Sequence, residues 1–526
     1  MAVCSRSETA AGRGGGGGSE FVSARWAAQL FVAQLVLSAT RLGLSAVNKS
    51  HVHACIRVSS ARAALLHTLA FGALSAAASA AAADGGPTPD GSLPMYGVTV
   101  YGTVDLAAQY QSHGTPESDY HPAVTEALIN KNSNGSVATI TGNQISASRI
   151  GLKGLEDFGN GWSGVFKVET LFDPQSGNIS DALRSMTLQN GVPLASQTTG
   201  ADSALAGQLF NGAAYVGLAH SQLGLVTFGR QTTFVADGIS GYDPMGSAQG
   251  FSLVGWSGTY AGAGATENRR LDGSARYEVT AGAVHAGALY QPRTGSNPGT
   301  ATQLLLGFRF PGGSVDAFYS RKNDAMMSAP LSAVQVTSVA QVCGGATVAG
   351  FACASIDKAL AGTIADLRTW AVIAKYKVTP SATVFAAYEH IQYQNPSTIV
   401  PAGQKNIGGY ILVTVNNAAY PSARTLGLFW AGMKYAVKPN LEFTWAYYHY
   451  DQNSYATGPN AGCSSALVSN QCSGKLDAAS VLLDYRFTKR FDVYGGAMWS
   501  QLQGGPANGF LNTSTIDPTI GIRYSF

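Results

Sequence analysis

The side chains best placed to do chemistry in this chain are charged groups set two residues apart. Arg270, Asp272, Ser274, Arg276 and Glu278 fall at every second position, with Leu271, Ala275, Tyr277 and Val279 between them. Side chains spaced by two share one face of a β-strand, so this stretch is expected to line water with five polar groups. The same parity joins Arg149 to Lys153, opposite Ile150 and Leu152, and Lys167 to Glu169, opposite Trp162, Phe166 and Val168. Rows of fixed charge attract and orient hydrated ions and polar solutes. Covalent catalysis needs more, a nucleophile in reach of a base. His113, His121, His220, His285, His390 and His449 are scattered singly and no nucleophile motif accompanies them. Cys343/Cys353 and Cys463/Cys472 are local pairs with no nearby His in sequence, which argues against a metal site; no cofactor motif stands out.

Strands must hold these rows, and the last stretch, 516–526, reads IDPTIGIRYSF. Ile520, Ile522, Tyr524 and Phe526 take one side, and Thr519, Gly521, Arg523 and Ser525 the other. Residues 96–110 alternate the same way, with Val98, Val100, Val104, Leu106 and Tyr110 against Thr99, Tyr101, Thr103, Asp105 and Gln109. First strand on last strand closes a barrel, with Tyr524 and Phe526 as the closing residues. The polar side carries Asp105 and Arg523, and many charges cannot share a dry interior. The expected solution is an apolar outside in lipid and a polar, watered lumen, with every backbone group paired in the closed sheet.

Repetition of about ten alternating residues, a short turn, ten more and a long loop gives further runs. They lie at 144–156, 161–172, 209–220, 224–231, 270–279, 284–291, 301–310, 313–322, 367–378, 382–393, 424–437, 441–450, 476–487 and 491–502. Parity is not clean in 382–393 and 424–437. With the two terminal strands this makes an all-β, transmembrane sixteen-stranded antiparallel barrel. Residues 111–141 read as a polar loop. The connection 232–269, about forty residues, is far longer than ordinary loops and holds Asp237, Asp243, Trp256 and Glu267 among Gly and Ser.

Composition agrees. Charged residues are 12% of the 526, Gly numbers 63 and Tyr 23, and no apolar run after residue 84 reaches the ~20 residues of a membrane helix. The net charge of +3 misleads: without the seven basic and two acidic residues of 1–83, the 33 and 30 become 26 and 28, a net of −2. No nucleic-acid partner follows from such a balance. Arg57 and Arg62, the apolar 63–78 and Ala81-Ala82-Ala83 form a signal peptide over 57–83 with the cut before Asp84. Residues 1–56, with five Gly at 14–18, are unexplained by export, and translation is expected to start nearer Val52 or Val58. An exported chain meets an oxidising compartment, so Cys343, Cys353, Cys463 and Cys472 are disulfide candidates within outer loops. Trp162, Trp445, Tyr447, Tyr485, Phe487, Phe491, Trp499, Tyr524 and Phe526 gather at strand ends, as at a membrane–water boundary.

Several stretches resemble the Gram-negative general porins: YGTVDLA at 101–107, SRIGLKGLEDFGNG at 148–161, AAYVGL at 213–218, LGLVTFGRQ at 223–231 and the terminal RYSF. The resemblance covers 96–526. It implies a homotrimeric diffusion channel in the outer membrane for small hydrophilic solutes and ions, whose long third loop, 232–269, folds inward. The acids Asp237, Asp243 and Glu267 would then face a basic wall of Arg149, Lys167, Arg230, Arg270 and Arg276. Arg230 enters on resemblance alone, because it shares parity with Val226 and Phe228. A wall arginine common in these porins is replaced here by Gly212. The terminal strand is the expected contact for the barrel-assembly machinery. The rival readings are an outer-membrane enzyme, an adhesin or interaction barrel using its outer loops, and a sugar-selective channel, which would show a run of lumen aromatics.

Overall fold

The computed structural model describes residues 97–113, 135–179, 209–255, 269–293, 300–323, 366–394, 406–407, 410–411, 423–455, 469, 471–507 and 511–526. The extension 1–56 and the leader 57–83 lie outside them. So do Trp256, Glu267, Cys343, Cys353 and Cys463.

The strands, in chain order, are β1 (Val98–Gln111), β2 (Val137–Gly142), β3 (Arg149–Gly159), β4 (Trp162–Leu171), β5 (Ala213–His220), β6 (Gly224–Thr232), β7 (Arg270–Ala281), β8 (Val284–Gln291), β9 (Thr300–Phe310) and β10 (Gly313–Asn323). They continue with β11 (Asp366–Thr379), β12 (Ala382–Gln394), β13 (Asn406–Ile407), β14 (Tyr410–Ile411), β15 (Arg424–Lys438), β16 (Leu441–Gln452), β17 (Gly474–Arg486), β18 (Phe491–Gly504) and β19 (Ser514–Ser525). β13 and β14 pair only with each other. All the others form one antiparallel sheet that closes on itself. β2 and β3 both pair with β1, over 106–111 and 98–103, and fill one strand position between them, so the barrel has sixteen. Among the described residues no helix is long and apolar enough to cross a membrane.

Closure runs as the alternation requires. β1 and β19 pair with Asp105 opposite Arg523, Leu106 opposite Ile522 and Val104 opposite Tyr524. The backbones of Gly102 and Phe526 exchange two hydrogen bonds of 2.9 and 3.0 Å at the chain end. A Cβ on Gly102 would stand 2.3 Å from the Phe526 ring, so the first strand keeps a glycine where the last side chain must lie. Along β19, Ile516, Ile520, Ile522 and Tyr524 are exposed on the outside, while Thr515, Asp517 and Thr519 are buried inside. The same apolar exterior recurs at Val216, Leu218, Phe228, Leu304, Leu306 and Phe308. Trp445, Tyr447, Tyr485, Phe487 and Trp499 are exposed as well.

Three local expectations fail for identifiable reasons. The run 144–156 is broken: Ile145 and Ser146 donate their N–H groups to the Asp105 carboxylate, both at 2.8 Å, instead of to a strand. The ladder resumes only at Arg149. The polar loop 111–141 contains β2, whose Ile140 faces outward. The strand expected from residue 209 starts at Ala213, because the Asn211 side chain clamps both backbone groups of Leu171 and stands in for ladder bonds.

The inner wall is also less uniformly wet than alternation implies. Leu367 and Ile373 of β11, Ile391 of β12, and Leu426, Leu428 and Trp430 of β15 are almost wholly buried on the inner side. Trp370, Val372, Tyr388 and Phe429 are exposed on the outer side of the same strands. These strands are apolar on both faces, which explains the blurred parity of 382–393 and 424–437. What covers their inner face is the connection between β6 and β7.

Candidate pore constriction

That connection enters from Thr232 and turns into a helix, α1 (Phe234–Tyr242). Thr233 caps it, its hydroxyl accepting from Ala236 N at 3.2 Å, while Phe234 N donates to Gln303 of β9 at 2.8 Å. A polar cap and an apolar N-terminal turn hold the helix against the wall. At its far end Tyr242 donates to Ser314 Oγ (2.8 Å), and its carbonyl accepts from Trp430 Nε1 (3.2 Å). Lys375 Nζ donates to the Gly241 carbonyl (2.9 Å), a cation at the negative end of the helix. Beyond it, Gly250 N donates to Gln144 O (2.9 Å), and Phe251 meets the Tyr494 ring edge-on. The segment therefore touches the inner faces of β9, β10, β11, β15 and β18. Its residues Phe234, Val235, Ile239, Tyr242, Met245, Phe251, Leu253 and Val254 form one apolar cluster with those strands.

The acids of this connection differ in role. Asp237, in the first turn of α1, pairs with Arg276 of β7. Arg276 also donates to Thr232 O (2.9 Å) and Glu278 Oε1 (2.7 Å) and lies 4.3 Å from the centre of the Phe234 ring. The acid is bonded to the basic wall rather than held across a gap from it. Asp243 does not face the lumen at all. It is buried and accepts from Tyr448 Oη (2.6 Å), Ser247 N (2.7 Å) and Met245 N (3.2 Å), tying the segment to β16. Burial pushes its pKa above the ordinary aspartate value, while the Tyr448 bond pulls the other way. Glu267 lies outside the described residues.

On the wall, Lys167 Nζ stands 3.2 Å and Arg149 Nη1 3.7 Å from Glu169 Oε2, which also accepts from Tyr101 Oη at 2.8 Å. Lys153 is the direct cross-strand partner of Lys167, and both lie over the Tyr101 ring. Tyr215 of β5 is the direct cross-strand partner of Lys167 and so stands on the same wall. Glu169 was legible as the parity mate of Lys167. Tyr215 had no signal beyond its place in AAYVGL.

Arg230 and Arg270 belong to a different group. The ladder between β6 and β7 shifts register after Gly229–Ser274, with Asp272 and Gly273 opposing the single residue Arg230. Gly273 has φ +56°, a left-handed conformation that a glycine adopts freely. This bulge turns Leu271 inward, where it is 1% exposed in the apolar cluster. Arg270 now pairs opposite Thr232, on the parity of Val226, Phe228 and Arg230. The row of five expected from 270 to 278 is thus cut to Ser274, Arg276 and Glu278. Arg230 bonds the Asn211 carbonyl (2.9 and 2.6 Å) and Asp272, and Arg270 bonds the Gly212 carbonyl (2.9 Å). A Cβ at Gly212 would stand 2.6 Å from both Glu169 Oε1 and Leu171 Cδ1, so the glycine makes room for Glu169. No group of His, Cys, Asp and Glu suited to a metal occurs among the described residues.

Comparison with known proteins agrees with this architecture. An outer membrane porin protein of Bordetella pertussis is 28% identical over 208 residues, 39% of this chain and 44% of that protein. The chain thus spans less than half the length of the curated relative it matches. The solved structure of an anion-selective porin from Comamonas acidovorans has the same fold at 16% identity, with a TM-score of 0.51 over 82% of this chain and 99% of the other. The family model for Gram-negative porins matches residues 68–505. With a closed sixteen-stranded barrel and that match over most of its length, the chain belongs to the Gram-negative porin family.

Proposed function

We propose that the protein is a water-filled outer-membrane channel through which small hydrophilic solutes and ions diffuse passively, without catalysis. The observation that carries this reading is the Arg276–Asp237 pair. It joins a cation of the inner wall to an acid on a segment packed inside the barrel, on a sheet whose neighbouring strands β3, β4 and β5 carry Arg149, Lys167 and Tyr215. Charges of both signs around a narrow passage create a field across it, which orients polar solutes and disfavours apolar ones. In this reading Arg149, Lys167 and Arg276 form the basic side of the constriction and Asp237 its acidic side, with Glu267 a further candidate acid. Arg230 and Arg270 brace the outer end of β6 and β7.

The mature chain is proposed to begin after the leader 57–83, to assemble as a homotrimer in the outer-membrane lipid, and to be inserted by the barrel-assembly machinery through β19 with Tyr524 and Phe526. Cys343–Cys353 and Cys463–Cys472 are proposed as loop disulfides, on the oxidising compartment that an exported chain meets. Liposome swelling tests the channel reading. Vesicles holding the refolded protein should swell in neutral sugars at rates that fall steeply with solute size. Rates equal to those of empty vesicles would refute it.

A further inference from the structure

The outer wall carries one feature that passive diffusion does not use. Arg321 of β10 and Arg368 of β11 are direct cross-strand partners. Both are exposed on the outer parity, beside Tyr319 and Trp370 and opposite the buried Ser320 and Thr369. Like charges placed opposite each other on a sheet repel. Arg321 Nε donates to Asn323 Oδ1 at 3.2 Å, and among the described residues no carboxylate pairs with either guanidinium. Asp366, on the same parity, is half-buried and has a partner of its own. Two cross-strand arginines gather N–H donors at one place on the wall, and guanidinium forks are well suited to phosphate oxygens.

Their height is equally specific. β10 and β11 are joined by the long connection 324–365, at the end of the barrel opposite the short turn Pro311–Gly312. Long connections mark the outer side of such barrels. Eight residues of tilted strand separate Gly313 from Arg321, a rise of roughly 19 Å against an apolar band of about 25 Å. The guanidinium groups therefore reach the outer headgroup level, where long stems carry the charge to water. Directly below lies an aromatic shelf. Trp370 stacks on His390 (5.8 Å, 28°) and meets Tyr388 at 5.3 Å, and Tyr319, Trp370 and Tyr388 are each more than 40% exposed.

We propose that Arg321 and Arg368 form a docking site for the phosphate of an anionic outer-leaflet lipid, whose acyl chain lies on the Tyr319–Trp370–Tyr388 shelf. The site rests on the barrel spanning the membrane as proposed above, and conductance is therefore read in parallel. The test is native mass spectrometry of the full folded protein in neutral detergent, offered diphosphoryl lipid A or the same lipid stripped of phosphate. Wild type should retain the phosphorylated lipid over the stripped one. The double variant Arg321→Gln/Arg368→Gln should lose that preference by about tenfold or more, the worth of one charge-assisted contact, with unchanged single-channel steps. Arg321→Lys/Arg368→Lys should keep part of it. Equal retention of both lipids by wild type, or an unaltered preference in the Gln variant, overturns the proposal. So does efficient cross-linking between two chains through Arg368→Cys, which would make a second copy the occupant. Absence of channel steps in wild type would instead refute the membrane reading.

Discussion

Replacing Arg276 by alanine removes one positive charge from the inner wall and leaves Asp237 and Glu278 without their shared partner. A permeant ion passing about 6 Å from that position in water feels roughly 0.7 kcal/mol from one unit charge. The cation gains this and the anion loses it, so the unscreened permeability ratio moves by about tenfold, since 1.4 kcal/mol is a factor of ten. Screening at a Debye length of about 8 Å halves the energy and leaves roughly threefold. Arg276→Ala should therefore shift the cation-to-anion ratio three- to tenfold toward cations, read as a reversal potential across a planar bilayer under a salt gradient. Asp237→Asn should move the ratio the opposite way, and the double variant should return close to wild type. A ratio unchanged in Arg276→Ala, or single variants moving in the same direction, would place the pair away from the ion path.

Glu169→Gln frees Lys167 and Arg149 from their shared carboxylate; reversal potentials should move toward anions by a similar factor. Gly102→Val sets a branched side chain into the Phe526 ring, and overpacking of this kind costs about 1–3 kcal/mol; refolding yield, read from the gel mobility of unheated samples, should fall, while Ala108→Val on the exposed side of the same strand should not matter. Asp243 holds its proton more tightly in the folded chain than in the unfolded one. Its contribution is thus greatest below the ordinary aspartate pKa and is lost as pH rises through the raised value. Hydrogen exchange over 243–254 should speed up across that window beyond the intrinsic pH dependence, and Asp243→Asn should remove the extra slope. Tyr448→Phe, which deletes the 2.6 Å bond to Asp243, should loosen the same segment by about 1–3 kcal/mol.

How far the sequence was legible follows from what each pattern can encode. Alternation in 516–526 and 96–110 gave the pairing of first and last strands and put Asp105 and Arg523 on the inner side, because a one-residue slip would turn Ile520 and Ile522 into the lumen. Period two cannot choose among slips of two, so the register that sets Asp105 opposite Arg523 was not legible. The same logic failed at 270–278. Parity assumes an unbroken ladder, and the Asp272–Gly273 bulge resets it; the glycine inside a charged strand was the available sign. Asp105 was legible as an inward charge but not as the cap that interrupts 144–156, since its partners are backbone N–H groups forty residues away. Asp237 and Asp243 could not be told apart by composition. One meets a strand arginine from a helix turn, and the other is sealed under Tyr448, which only the path of the connection decides. The blurred parity of β12 and β15 proved informative in reverse. A strand apolar on both faces needs a cover inside as well as lipid outside, and the connection from β6 supplies it.

The central claim is that the barrel encloses a continuous water path narrowed beside Arg276 and Asp237. Single-channel recording of the refolded protein in a neutral bilayer tests it most directly. The account predicts discrete, near-ohmic current steps whose size falls when a positively charged thiol reagent is added to Asp237→Cys. A bilayer that stays silent although the protein is inserted and folded, or steps indifferent to the reagent once it is shown to have coupled, would contradict it.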